Sequence, residues 1–528
     1  MAARRRPYLK PVDTSDDNPT GDARPRVDIH QGRRSEAIDA AEEHLIERDP
    51  GLFQRGDFVV RVAPQEIDIG GGEKALALRI VTVGPQHLRN RFNLSVDLRK
   101  FDKRADSWVS IDCPTDFAEA YLERVGLWKL PMLSAVATAP TLRPDGSLID
   151  RPGWDPPTGV YYDPRGVEFP AVPRAPTRTD ALAALDRLDG LIGSLDFVDE
   201  VSRSVALSAI LTPLLRRAMT AAPMHGITAP VAGSGKSKIV DIAAILATGH
   251  PAPVTALGQR DEETEKRLGA ALLAGDLVIA IDNAERAVGG EFLCQAVTQP
   301  LIATRVLGTS TRLITSNTAA WFATGNNLKF AGDMVRRSLM CRLDPGVERP
   351  ELREFETPDP CLTALADRPQ FVIAALTIAR AFMVAGCPRA IGPLGSFGDW
   401  SRWVRDPLIW LGRPDPVDAM AETRRDDPVL STLIAVIEQW GSTIGERRVT
   451  GREVAELAGK QDVSGKWENP DFREALLAVA GEAGKVTTSR LGRWLGKVKG
   501  RAVGGKRLVS AEMLSGIARW QLVAATGF

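Results

Sequence analysis

Cysteine and histidine are scarce in this chain, with five of each in 528 residues. Cys113, Cys294, Cys341, Cys361 and Cys387 form no C-x-x-C pair, which argues against a zinc ribbon or a disulfide framework and suits a reducing compartment. The histidines are scattered and suggest no metal site. Net charge is also missing: Lys+Arg and Asp+Glu are both 67, so bulk charge does not announce nucleic acid, and any basic surface must be local. No apolar run approaches the roughly 20 residues that span a bilayer. The opening Met1-Ala2-Ala3-Arg4-Arg5-Arg6-Pro7-Tyr8 lacks the apolar core of a secretory signal. A cytoplasmic protein with no membrane partner is the expectation. There is no internal repeat and no low-complexity tract. What remains is ordinary soluble composition, 44% hydrophobic and 25% charged, over a length that suits several domains.

The pattern along the chain divides it. Residues 1–30 are charged, contain Pro and Gly, lack periodicity and read as a disordered basic arm. Residues 31–176 read as an α+β domain ending in a Pro-rich linker. Its elements are an amphipathic helix over 35–48, strands over 58–62 and 76–83, a helix over 117–125 and a short strand at 159–163. A boundary falls near Thr177. Residues 177–223 read as a helical collar, 224–349 as an α/β core, 350–425 as a helical lid, and 426–528 as a separate small domain.

The chemistry concentrates in the α/β core. Ala229-Pro230-Val231-Ala232-Gly233-Ser234-Gly235-Lys236-Ser237 follows a short strand and opens a helix. Glycines there let backbone N–H groups converge on a polyphosphate, and the helix N-terminus adds its dipole. Gly233, Ser234, Gly235, Lys236 and Ser237 are therefore expected to bind nucleotide, with Lys236 on the β/γ-phosphates and the Ser237 hydroxyl on Mg²⁺. Pro230 stands where the phosphate-loop pattern has its first glycine. Further on, Leu277-Val278-Ile279-Ala280-Ile281-Asp282-Asn283 is an apolar run ending in a carboxylate, as a Walker B strand would be, with Asp282 on the metal shell. Trp321-Phe322-Ala323-Thr324-Gly325-Asn326-Asn327 ends in amides, and Asn326 is placed to sense the γ-phosphate or orient water. Arg336 and Arg337 then read either as arginine fingers or as a solvated face paired with Asp333. The water-activating base is open: Asn283 cannot serve, and Glu285, Glu262 and Glu263 are alternatives.

Two further features point to nucleic acid. Residues 304–315 read as a hairpin around Gly308-Thr309-Ser310, with Arg305 and Arg312 as candidates for DNA phosphates. In the last domain, helical patterns over 450–458, 471–480 and from Thr487 precede a hairpin with a Gly504-Gly505 turn, the order of a winged helix. Lys485, Arg490, Arg493, Lys497, Lys499, Arg501, Lys506 and Arg507 fall within 485–507 without an acidic residue, against a neutral background. Arg490, Arg493, Lys497, Lys506 and Arg507 are the expected duplex contacts, or else a solvated face. No primase carboxylate cluster is evident; Asp28-Ile29-His30 is the nearest sequence and lies in the arm.

Assembled in this order, the phosphate loop 229–237, Ile281-Asp282-Asn283, Ala323-Thr324-Gly325-Asn326-Asn327, Gly332-Asp333-Met334-Val335-Arg336-Arg337, Cys341-Arg342-Leu343-Asp344 and the segment 152–162 resemble phage- and plasmid-encoded replicative helicases. These are related to superfamily 3 helicases and poxvirus-type primase-helicase ATPases. The resemblance implies an AAA+-like P-loop NTPase core and a hexameric ring that hydrolyses ATP with Mg²⁺ and moves on single-stranded DNA. Some relatives carry a primase domain at the N-terminus; with none evident in this sequence, a separate primase is a candidate partner, and priming within this chain stays open. A non-unwinding ATP switch or helicase loader is the second reading, and a binding module that has lost catalysis the third.

Overall fold

Five parallel strands form one sheet in the part of the chain from residue 224 to 342. In sheet order they are Val254–Thr255, Val278–Ile281, Ala320–Asn326, Met224–Ala229 and Ser338–Arg342. The amide-ended strand Ala320–Asn326 thus lies between the strand that feeds the phosphate-type loop and the strand that ends at Asp282. These segments read as near-continuous apolar runs because helices cover both faces of a parallel sheet. The computed structural model describes residues 24–70, 73–258, 260–305, 312–352, 358–389, 391–514 and 517–525.

The chain forms two compact units. One holds the residues up to 65 together with 78–136 and 154–161; the other holds 66–77, 137–153 and the chain from 162 onward. In the first unit, strands Arg26–Asp28, Asp97–Asp102 and Ser107–Ser110 form a sheet with Asp97–Asp102 in the middle. Val27 and Leu98 pack from this sheet against Ile38 and Leu45 of helix Arg34–Arg48, Phe92 of Pro85–Ser95 and Phe117 of Thr115–Leu122. A second sheet orders Leu52–Arg55, Phe58–Gly70 and Glu73–Thr82, of which residues 66–77 are counted with the other unit. Phe58–Gly70 runs past the apolar stretch 58–62 that predicts it, because alternation continues through Gln65-Glu66-Ile67-Asp68-Ile69.

In the second unit, helix Arg178–Leu191 starts at Thr177 with reciprocal bonds: Thr177 Oγ1 accepts from Asp180 N (3.2 Å), and Asp180 Oδ2 accepts from Thr177 N (2.7 Å). Asp199 caps helix Glu200–Leu215 by accepting from Ser202 N at 2.6 Å. That helix is apolar on nearly every side and buried on nearly every side, packed beside Lys236–Thr248 and Arg368–Val384. No single helix among the described residues is long and apolar enough to cross a membrane.

A two-stranded hairpin, Leu301–Arg305 with Arg312–Ser316, precedes the amide-ended strand. Its base is clamped. Arg216 is 1% exposed and donates to Ala319 O (2.8 Å), Met219 O (2.6 Å) and Asn317 O (2.9 Å). Asn317 in turn donates from Nδ2 to Gln299 O at 3.0 Å. Three carbonyls around one sealed guanidinium satisfy a charge that burial would otherwise make costly. The clamp fixes where the hairpin meets the sheet.

The C-terminal region opens with helix Pro428–Thr443, followed by helices Gly451–Ala458, Pro470–Ala480 and Thr488–Val498. A four-stranded sheet joins Val449–Thr450, Ile517–Ala524, Lys506–Leu514 and Ala502–Val503 in that order. Gly504 (φ 56°) and Gly505 (φ 72°) turn the Ala502–Val503/Lys506–Leu514 hairpin. Both sit in the left-handed region that a two-residue hairpin turn requires, which glycine enters without strain. The structure adds what the simpler helix–helix–helix–hairpin pattern lacked: a short ribbon, Gly481–Glu482 with Lys485–Val486, between the second and third of those helices, and a last strand, Ile517–Ala524.

Candidate nucleotide site

Ligands of open α/β sheets bind beyond the carboxyl ends of the strands, and there the chain assembles a cleft of about 370 Å³. It is lined by residues 232–238 together with Asp282, Asn283, Thr324 and Asn326. Three adjacent strands deliver these groups. Met224–Ala229 leads into the loop, Val278–Ile281 ends at Asp282, and Ala320–Asn326 brings Thr324 and Asn326 between them.

The loop is shaped by two glycines at positive φ, Gly233 (76°) and Gly235 (83°), the second capping helix Lys236–Thr248. Its interior closes on the Val231 carbonyl, which accepts from Ser234 Oγ (2.8 Å) and Lys236 Nζ (2.9 Å). Lys236 Nζ also donates to Asn326 Oδ1 at 2.8 Å, so the candidate phosphate ligand and the candidate sensor touch. Burial pushes the Lys236 ammonium below the usual lysine range, while the nearby Asp282 charge pulls the other way. Ser237 opens onto the same cleft. Asp282 Oδ1 accepts from Thr324 Oγ1 at 2.5 Å, and Asn283 N donates to the same hydroxyl oxygen at 3.1 Å.

Asn283 (φ 48°) and Asn327 (φ 51°) both stand in the left-handed region, one residue beyond Asp282 and Asn326. Asparagine is the non-glycine residue that tolerates this conformation best. The two turns reverse the chain at the strand ends: Ala284 N returns to Thr324 O (2.7 Å) and Asn327 N to Ala229 O (3.2 Å). The residue after Asp282 therefore has a backbone task. None of Glu262, Glu263 or Glu285 is among the described residues lining the cleft; Glu263 instead pairs with Arg267.

One lining residue, Thr324, and one carboxylate near Asp282 but outside the lining, Asp241, escaped sequence reasoning. Thr324 was visible only as part of a strand, yet its hydroxyl orients Asp282. Asp241 lies one helical turn beyond Ser237, and burial, with the Asp282 and Asp359 charges, raises its carboxyl above the usual range. Its signal was the i, i+4 spacing from Ser237, which places both on one helix face.

The other candidates sit apart from the cleft. Arg337 is 18% exposed in its side chain and donates to Asp333 Oδ2 (3.0 Å from Nε), Cys294 O (2.9 Å) and Thr298 Oγ1 (2.6 Å). Arg336 also pairs with Asp333 and is far more exposed. Arg305 and Arg312 are cross-strand partners at the last described rung of the hairpin; its tip, 306–311, lies outside the described residues. On helix Thr488–Val498, Leu491, Leu495 and Val498 are buried while Arg490, Arg493 and Lys497 face out. Arg490 is tied to Glu482 Oε1 (2.9 Å), an acidic neighbour just before the basic stretch. Lys506 is exposed and Arg507 half-buried on strand Lys506–Leu514.

The residues fit Mg²⁺ and a nucleoside triphosphate in kind: a hydroxyl and a carboxylate are hard oxygen donors, and the loop offers backbone N–H groups, a helix N-terminus and an ammonium. No protein-family model matches the sequence, and no curated protein matches it. Among solved structures, the apo A form of the NrS-1 C-terminal region aligns over 84% of this chain and 100% of that one, at 13% identity and a TM-score of 0.34. A JCV helicase bound to a small molecule aligns over 48% of this chain and 74% of that one, at 12% identity and a TM-score of 0.21. At these values neither likeness carries a conclusion for this chain.

Proposed function

We propose that the chain is an ATP-driven motor on DNA, a helicase or translocase serving replication of a phage or other mobile element. The observation that carries this reading is the direct contact of Lys236 with Asn326 in a cleft shared with Ser237 and Asp282. The parallel sheet, with the amide-ended strand between the loop strand and the Asp282 strand, supports an AAA+-like core.

In this account the loop N–H groups, Lys236 and the helix N-terminus hold the triphosphate, while Ser237 and Asp282 hold Mg²⁺. Held there by Ser237 and Asp282, a divalent cation would supply positive charge to offset that of the phosphates. Lys236 exchanges the Val231 carbonyl and Asn326 for phosphate oxygens. Asn326, released, is free to orient the attacking water. Thr324 keeps the Asp282 carboxylate aimed while that exchange occurs. Arg336 is the better placed of the two arginines to act across a subunit interface, since Arg337 is held inward. A homo-oligomeric, hexameric ring would supply that interface. The clamp at Arg216 ties the hairpin to the strand that carries Asn326, so Arg305 and Arg312 would move with the nucleotide state against single-stranded DNA. The C-terminal helices and hairpin form a winged-helix-like module that would hold duplex DNA through Arg490, Arg493, Lys497, Lys506 and Arg507, by phosphate contact. Priming is left to a separate primase.

ATP turnover, stimulated by single-stranded DNA and abolished in Lys236→Ala, is the expected result. Turnover that DNA leaves unchanged would favour the second reading, a non-unwinding ATP switch or loader. Asn283 supports that reading, since it leaves the position after Asp282 without a carboxylate.

A further inference from the structure

The N-terminal sheet has one packed face and one open face. Val27 and Leu98 alternate toward the helices and are buried. The register puts Asp28 beside Arg99, Arg99 beside Ser110, and Phe101 beside Trp108 on the opposite face. His30, two residues beyond Asp28, continues along that face, and Ile29 N donates to Arg99 O at 2.8 Å. The outcome is a row of three rings, His30 just past the end of the first strand and Phe101 and Trp108 on the other two. Trp108 lies edge-on to His30 (centroids 4.8 Å apart) and to Phe101 (5.7 Å). Phe101 is 41% exposed, His30 is exposed and Trp108 is half-buried. A packing cluster would sink these rings beneath other side chains; here they stand at the surface. Lys103 and Arg104, in the turn that follows the central strand, are exposed, and no carboxylate side-chain pairing is formed by them among the described residues.

We propose that this face is a stacking platform for a single strand of nucleic acid, with bases against Phe101, Trp108 and His30 and phosphates along Lys103 and Arg104. Surface aromatics beside unpaired cations are what a single strand requires, because every base offers a π-face and every linkage a negative charge. A duplex would hide its bases from such a face. The inference does not rest on the nucleotide site, since the platform belongs to the other compact unit.

The test is anisotropy with the full-length protein and no ATP, using a labelled oligothymidine, the same-length oligouridine and an abasic strand of equal charge. The thymidine and uridine arms tell DNA from RNA. The native chain is expected to prefer a strand with bases over the abasic one. Phe101→Leu and Trp108→Leu keep apolar volume but remove the rings. Each is expected to weaken binding to strands with bases by about tenfold and to leave abasic binding unchanged. A 5-bromodeoxyuridine strand should photo-crosslink to the peptide holding Phe101 and Trp108 in the native protein, which keeps the test informative if a variant misfolds. Equal binding of strands with and without bases, or crosslinks that avoid this peptide, would overturn the proposal. Base-dependent binding that persists in a chain without ATP turnover would leave the platform standing while the motor reading fell.

Discussion

His225 makes the strand that feeds the nucleotide loop acid-sensitive. Its side chain is fully buried, accepts or donates one bond at Nε2 to Ser208 Oγ (3.0 Å), and lies beside Phe322 at 5.7 Å between centroids. Burial alone pushes its pKa from 6.5 down to about 3. A histidine depressed in the folded state contributes stability that is intact above the unfolded value and is lost as pH falls through it. At pH 5 the unfolded chain is almost fully protonated at this site while the native state is not. The difference from neutral pH is then about 2 kcal/mol, from about 1.4 kcal/mol per unit over the 1.5 units below 6.5. That figure barely changes if the native value is 4 rather than 3. Hydrogen exchange of peptides covering Met224–Ala229, compared between the native chain and His225→Gln at pH 7.5 and 5.0, isolates the effect, because the other four histidines are common to both. The variant should gain roughly 30-fold in relative protection on acidification. A protection ratio independent of pH would refute the reasoning.

Three other outcomes follow from the same geometry. A methyl group on Gly226 would stand 2.6 Å from Phe330 Cε2, so Gly226→Ala should destabilise this unit by about 1–3 kcal/mol, read by thermal unfolding. Asp241→Asn removes a carboxylate whose ionisation the fold opposes. It should raise the melting temperature at neutral pH, and the gain should shrink on acidification as the native carboxyl, held above its ordinary range, takes up its proton. Thr324→Val takes the donor from Asp282 and leaves Asn283 N without its acceptor, so ATP turnover should fall about 10- to 100-fold with a smaller change in KM.

Legibility in the sequence followed the range of the interaction. The loop at 229–237 and the strands ending at Asp282 and Asn326 are local patterns, an apolar run closed by a polar group, and the structure places their polar ends around one cleft. The order of those strands is non-local, and only the fold shows that the strand ending in Asn326 lies between the loop strand and the strand that ends at Asp282. Asn283 read as a missing base because its identity was compared with a catalytic pattern; its positive φ gives it a separate reason to be asparagine. Thr324 was hidden because a β-branched residue inside an apolar run looks like packing. Arg336 and Arg337 were balanced between two readings, and the Asp333 pairing keeps both in view while separating an inward arginine from an exposed one. Phe101 and Trp108 lie seven residues apart with a turn between, so their pairing needed the register of Asp97–Asp102 against Ser107–Ser110.

The central claim is that this cleft drives movement on DNA, and the direct measurement is ATP-dependent unwinding of a forked duplex by the native chain and by Lys236→Ala. The account predicts unwinding by the native chain that stops when ATP is withheld and is absent in the variant. A native chain that hydrolyses ATP without separating or moving along DNA, or a Lys236→Ala variant that unwinds as well as the native protein, would contradict it.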